Sequence, residues 1–263
     1  MVRMRWWYVA LAAWVALAVG VVANPPPGTL PQQQSAPPGT DVPSIMDTPL
    51  RLIGEARQTF QGVRDYTCLL IKRERIHGQL QPDQVIVMKV RSQPFSVYLR
   101  WQEPRSMAGQ ESCYVVGRND NMMRVHPTGL AGIAGWVTLD PRDKRVTEHS
   151  RHSITEAGIG NLIERFGQRW EEERRMNRTE VHVADYEYNK RPCTRVETVH
   201  PPGDTFLFYR SVIYFDKETH LPIRVENYDW PRQRGSPNGE LAEVYSYIDL
   251  RPNVQLRDDD FNY

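Results

Sequence analysis

What this chain is short of narrows its role before any motif does. It carries no excess of charge of one sign: 33 Lys and Arg stand against 32 Asp and Glu, a formal net charge of +1. Neutralising phosphates takes a clustered surplus of Lys and Arg, so this balance argues against nucleic acid as a partner. The one dense run, "EEERR" (171–175), mixes both signs and reads as a solvated helix face. Cysteine is scarce too. Cys68, Cys113 and Cys193 are the whole set and no CxxC occurs, so neither a redox motif nor a zinc knuckle is suggested. In an oxidising compartment one pair among the three would form and leave a thiol over; as small buried strand residues all three would stay free. Both alternatives stand at this level.

Catalytic signatures are missing as well. There is no G-x-S-x-G elbow and no Cys–His arrangement with a recognisable local signature. The glycines of "TGLAGIAG" (128–135) lack the Lys–Ser/Thr ending of a phosphate loop and read as a mobile loop. "EHSRH" (148–152) sets His149 and His152 three apart beside Glu148, without the H-E-x-x-H that would make a zinc site, and reads as surface histidines ahead of a helix. The acidic "RDDDF" (257–261) lacks the alternation and glycine of an EF-hand loop. Glu226 and Asp229 share a strand among aromatics, which by itself supports no glycosidase geometry. Nothing calls for a cofactor or a metal ion, and the absence of a catalytic signature favours binding over catalysis.

What is present begins with an export signal. Arg3 and Arg5 precede an uncharged apolar run from Trp6 to Ala23, ending in the small residues of a cleavage site. Residues 1–23 are thus a signal peptide or, since residues 6–23 approach the length of a bilayer span, an uncleaved anchor to the membrane. Either way the rest is expected in the periplasm or cell envelope. Residues 24–44, "NPPPGTLPQQQSAPPGTDVPS", have almost nothing to bury and form an extended linker, at about 3.1 Å per residue where polyproline-like. Residues 45–263 form a single folded domain.

That domain opens with a helix: Thr48 as N-cap, Pro49 at the first helical position, and Ile53, Ala56, Phe60 and Val63 on one stripe. Five strand patterns follow over 66–75, 84–91, 95–101, 112–117 and 121–126, then a loop over 127–152. A second helix is expected after a Ser153–Glu156 capping box, with Ile159, Leu162, Ile163, Phe166 and Trp170 on its apolar face. Five more strands occupy 180–188, 193–200, 205–216, 221–230 and 240–250. Their short links make antiparallel neighbours, since a parallel crossover takes a dozen residues or more. The class is α+β: a large curled antiparallel sheet with two amphipathic helices against it.

Two helices are too few to cover such a sheet, which leaves the question of what its apolar face holds. "PFSVYLRW" (94–101) puts Phe95, Val97, Leu99 and Trp101 on one side. By alternation, Leu69, Ile71, Val97, Leu99 and Trp101, together with Phe206 and Phe208, are the expected lining of a concave pocket. The alternative is that the helices fill the concavity and these residues are plain core.

Three stretches carry a family resemblance: "YTCLLIKRERIHGQL…VIVMKVRSQPFSVYLRW", "IYFDKETHLPIRVENYDW" and "YSYIDLRPNVQLRDDDFN". They resemble a secreted bacterial family, domain of unknown function 1571, over roughly residues 47 to 262. In layout this is similar to the periplasmic lipoprotein carriers LolA and LolB. The resemblance implies an unclosed antiparallel β-barrel with helices over its mouth and an apolar lining that receives the acyl chains of a lipid or lipid-modified protein. Three roles follow: an envelope carrier or sensor for a lipidic ligand, a structural or protein-interaction module reaching a partner through the Pro-rich arm, or a hydrolase built on a histidine–carboxylate site.

Overall fold

The structure is a computed structural model that describes residues 44–203, 205–231 and 238–263. The expected export segment, and the linker up to residue 43, lie outside the described residues. Among the described residues no helix is long and apolar enough to cross a membrane.

Among the described residues twelve strands form one antiparallel sheet. In chain order they are β1 (Asp65–Ile76), β2 (Gln79–Leu80), β3 (Gln84–Arg91), β4 (Ser96–Glu103), β5 (Glu111–Val115), β6 (Met123–His126), β7 (Val137–Leu139), β8 (Glu180–Tyr188), β9 (Arg191–Val199), β10 (Arg210–Asp216), β11 (Pro222–Asp229) and β12 (Glu240–Pro252). Across the sheet the order is β7-β6-β5-β4-β3-β1-β12-β11-β10-β9-β8, with the short β2 on β1. The chain therefore starts at the centre, steps outward to β7, crosses over, and steps back inward from β8 until the last strand pairs with the first. The edges β7 and β8 do not pair, so the barrel is not closed. Tight reversals make this possible; at Asn189 and Lys190, between β8 and β9, φ is 50° and 63° at both turn residues, the conformation that matches the twist of a two-residue hairpin.

Helix α1 (Asp47–Gln61) and the long helix α3 (Ile159–Met176) pack together on the concave face; a one-turn helix α2 (Lys144–Thr147) lies in the segment between β7 and α3. The α3 stripe is buried as expected, with Ile159, Leu162, Ile163, Phe166 and Trp170; on α1, Ile53 and Ala56 are buried, Phe60 is half-buried and Val63 is buried just past the helix end. The two helices approach closely at Gly160 and Gly167, where an added Cβ would lie 2.5 Å from the Phe60 ring and 2.3 Å from the Arg57 guanidinium. At the same seam, Arg57 makes paired bonds to Glu164 at 3.0 and 2.9 Å. Helix α3 begins over β1, where Tyr66 Oη accepts the Ile159 N–H at 2.8 Å, and ends over β10, where the Trp170 and Phe215 rings lie 6.3 Å apart. Its diagonal course leaves the concave side of β3 to β6 without a helix.

Several sequence expectations change in detail. Helix α1 starts at Asp47, with Met46 as its cap residue; Thr48 and Pro49 fall inside the first turn, and the Ser44 N–H donates to the Asp47 carboxylate at 2.8 Å. Ser153 caps only a single 3-10 turn (Ile154–Glu156), because Gly158 at φ 99° breaks the path before α3 can start. The segment expected as loop contains β7 and α2, and "TGLAGIAG" includes a 3-10 stretch, Gly129–Ala134, that leaves Leu130 and Ile133 exposed. The strand expected over 205–216 begins only at Arg210. All three cysteines are free and buried, on β1, β5 and β9. Burial pushes the Cys113 thiol up to about 12 and raises those of Cys68 and Cys193.

Candidate ligand cavity

Where α3 does not reach, residues 127–158 fold back over the sheet without filling the space beneath. A partly open cavity of about 340 Å³ remains. The sheet contributes its floor. On β3 and β4, alternate residues Ile86 and Met88, and Leu99 and Trp101, point into it; β5 and β6 add Ser112, Met123 and Val125. The edge strand β7 adds Leu139, and the opposite wall comes from the covering segment and α3, with Val146, Ile154 and Leu162. Three methionines, Met88, Met107 and Met123, share the lining. Their unbranched thioethers adapt to ligands of differing shape more readily than branched side chains do. Arg145 and His149 are exposed lining residues on the covering side, and half-buried Met107 and Gln110 face them from the β4–β5 turn.

One wall is polar. On β1, Lys72 and Glu74 alternate inward from Leu70, and the pair is almost wholly buried, with Lys72 Nζ 3.0 Å from Glu74 Oε2. Ser150 of the covering segment accepts from Lys72 at 3.1 Å, and the Tyr245 hydroxyl donates to Glu74 Oε1. Beside this pair, Trp101 Nε1–H donates to Gln84 Oε1 at 2.7 Å. An indole nitrogen only donates, which sets the orientation of that amide.

A second polar group ties the covering segment down. His152 lies between Glu243 on β12, 3.0 Å from Nε2, and Glu156, 3.2 Å from Nδ1, with Arg165 also 3.1 Å from Nδ1. Arg151 and Asn227 add bonds to Glu243 at 2.8 and 2.7 Å. Burial alone would lower the His152 pKa and raise that of Glu243. Their mutual hydrogen bond and attraction outweigh it, so His152 is raised above its usual 6.5 and Glu243 is lowered to about 2.

The model of the family described as protein of unknown function (DUF1571) matches residues 63–263. The chain belongs to that family. Among curated proteins none matches it. Solved structures with a similar layout include the Mycobacterium tuberculosis lipoprotein LppX, 11% identical over 79% of this chain and 96% of that one, at a TM-score of 0.45. An uncharacterized conserved protein from Thermus thermophilus is 8% identical over 82% and 94%, at 0.47. A LolA superfamily protein from Nitrosomonas europaea is 12% identical over 81% and 96%, at 0.32.

Of the residues singled out in the sequence, Leu99 and Trp101 line this DUF1571 cavity. Val97 is on the same face of β4 but fully buried in the core. Leu69 and Ile71 do not line the cavity: they are half-exposed on the other face of β1, and Leu70, Lys72 and Glu74 take the inward positions. Period-two alternation cannot choose between faces when consecutive residues, Cys68 to Ile71, are all apolar, and the inward Lys and Glu disguise the true register. Phe206 and Phe208 do not line it either. They precede β10 and pack away from the cavity around His200, whose ring stacks on Phe206 at a centroid distance of 4.4 Å and whose Nδ1 is 2.8 Å from the Phe208 carbonyl oxygen. The covering segment was missed altogether as a wall. Its lining residues come from short or irregular stretches, where no periodicity exists to read.

Proposed function

We propose that this domain is a non-enzymatic binding or carrier protein for a lipidic ligand, working in the cell envelope. The observation that carries the reading is the mismatch between sheet and helices. A mainly apolar cavity of about 340 Å³, with its own covering segment, stays open where a domain of this size would ordinarily close its core. That volume is near the lower end for small-molecule sites, which suits one chain-like ligand rather than a bundle of chains. The sheet offers the rigid floor, and the methionines offer tolerance in how the ligand packs. The expected export segment would put the domain where free or protein-bound acyl chains are met.

A binding role fits the polar wall better than acyl hydrolysis does. Ser150 accepts from Lys72, and its own hydroxyl reaches Glu74 only at 3.4 Å, on an oxygen that Tyr245 already occupies, so no free base is poised on it. His152 is held between two carboxylates and has no serine or cysteine among its hydrogen-bond partners among the described residues. The test is native mass spectrometry of the gently purified full-length protein, followed by titration with a fluorescent fatty-acid probe. Co-purified lipid, or probe binding that saturates at one per chain, is the expected result. A protein that emerges empty and takes up no probe would overturn the reading.

A further inference from the structure

Where β1 and β3 meet, the polar wall of the cavity has donors to spare. A lysine ammonium has three N–H donors. Two are used, by Glu74 Oε2 at 3.0 Å and Ser150 Oγ at 3.1 Å, and among the described residues no further acceptor meets the third. Lys72 is only 8% exposed and lines the cavity. Its direct partner across the β1–β3 ladder is Gln84, equally buried and also in the lining. Because Trp101 Nε1–H occupies Gln84 Oε1, the free end of that amide is its NH2 group, a donor. The acceptors nearby are engaged: Glu74 takes bonds from Lys72, Tyr245 and Ser150. Two buried donors are thus paired across adjacent strands where the polar wall meets the apolar floor of Ile86, Met88, Leu99 and Trp101.

We propose that Lys72 and Gln84 form a docking site for the carbonyl oxygen of a neutral acyl ester or amide, whose hydrocarbon chain lies along Ile86, Met88, Leu99 and Trp101. The inference rests on the lipid-binding reading above and narrows it from any apolar molecule to an acylated one. A carbonyl oxygen has two lone pairs and no proton, so it satisfies both donors at once. A hydrocarbon leaves both buried donors unmet, which is penalised. A free carboxylate would also accept from both, yet it brings a second negative charge beside Glu74, whose own charge Lys72 already balances. The neutral carbonyl is the group that fits without disturbing the existing pair.

The experiment uses the full-length protein with 1-aminoanthracene as a fluorescent occupant of the cavity, displaced by methyl laurate, by tridecane of similar length, and by laurate. Methyl laurate is expected to displace the probe about tenfold more effectively than tridecane, the scale of one hydrogen bond from a charged donor, and more effectively than laurate. The double variant Lys72→Met/Glu74→Gln removes the ammonium without stranding its carboxylate, and there the ester-to-alkane ratio should fall severalfold, to the smaller preference that an amide donor alone supplies. Equal displacement by tridecane and methyl laurate in the wild-type protein would overturn the carbonyl site even if the variant failed to fold, while leaving the cavity reading in place. Stronger displacement by laurate than by its ester would overturn the choice of a neutral group. If 1-aminoanthracene never binds the wild-type protein, it is the cavity reading itself that fails.

Discussion

Val97 and Leu99 are two residues apart on the same face of β4, and their surroundings assign them different work. Val97 has no exposed surface and touches only core, whereas Leu99 is half-buried with its side chain on the cavity. Placing an amide at the first strands a polar group in a dry interior; at the second it can find water through the cavity mouth. Val97→Asn should therefore cost about 3 kcal/mol of stability, and Leu99→Asn about 1 kcal/mol while probe binding weakens severalfold. Urea unfolding of both variants, with probe titration on the folded one, reads the difference. Equal destabilisation would mean that Leu99 faces no open space. The same pair shows what alternation can and cannot deliver. On β4 the polar residues Ser96 and Arg100 mark the opposite face, so the parity of Phe95 to Trp101 was legible. On β1 a run of four apolar residues followed by inward-facing Lys72 and Glu74 gave the wrong parity, and a buried ion pair at a cavity wall is the physical reason.

At the scale of elements, the covering segment is the one held by charge rather than by regular structure. Helices α1 and α3 were legible because their apolar stripes repeat every three or four residues. Residues 127–158 have short elements only, and their attachment depends on contacts that sequence spacing does not encode, above all His152 between Glu156 and Glu243, with Arg165 beside it and the Tyr245 ring 5.8 Å away. Glu243 is depressed to about 2, so its contribution to stability is present above its usual 4.5 and is lost as acid brings the pH down through its folded value. His152 is raised above 6.5, so its contribution is complete below that value and is lost as the pH rises through its folded pKa. The tie is strongest in the mildly acidic window between those ordinary values. The stability difference between wild type and His152→Gln should accordingly shrink on going from about pH 6 to about pH 9. A difference that grows over that range would mean that neutral, not protonated, His152 holds the segment.

For the molecule as a whole, the notable feature is that the sheet's two faces are closed by different parts of the chain. The concave face has the helices and the covering segment. The convex face of β4 and β5 is covered by the C-terminus, where Phe261 packs with Tyr98, Cys113 and Val115, and Tyr263 stacks on Tyr98 at a centroid distance of 4.5 Å. Ion pairs from Lys89 to Asp260 at 2.8 Å and from Arg91 to Asp258 at 2.7 Å fasten this strap from outside the cluster. The acidic run is thus a clasp, arranged as a 3-10 turn over Asp258–Phe261. Such partly exposed ion pairs are worth little singly, so the burial of Phe261 should supply most of the holding energy. The buried thiols report on this directly, because Cys113 lies under the strap, its Sγ 3.6 Å from the Phe261 carbonyl oxygen, while Cys68 belongs to the concave core. Deleting residues 256–263 should leave the sheet intact, since β12 ends at Pro252 and pairs with β1 upstream of the cut. In the truncated protein a maleimide should then label Cys113 at least tenfold faster than in the full chain, as its cover is gone and less burial lets more thiolate form. Cys68 should remain as slow as before. Acceleration at both positions would show that the strap supports the whole sheet rather than one face of it, and no acceleration at Cys113 would show that Phe261 is not its cover.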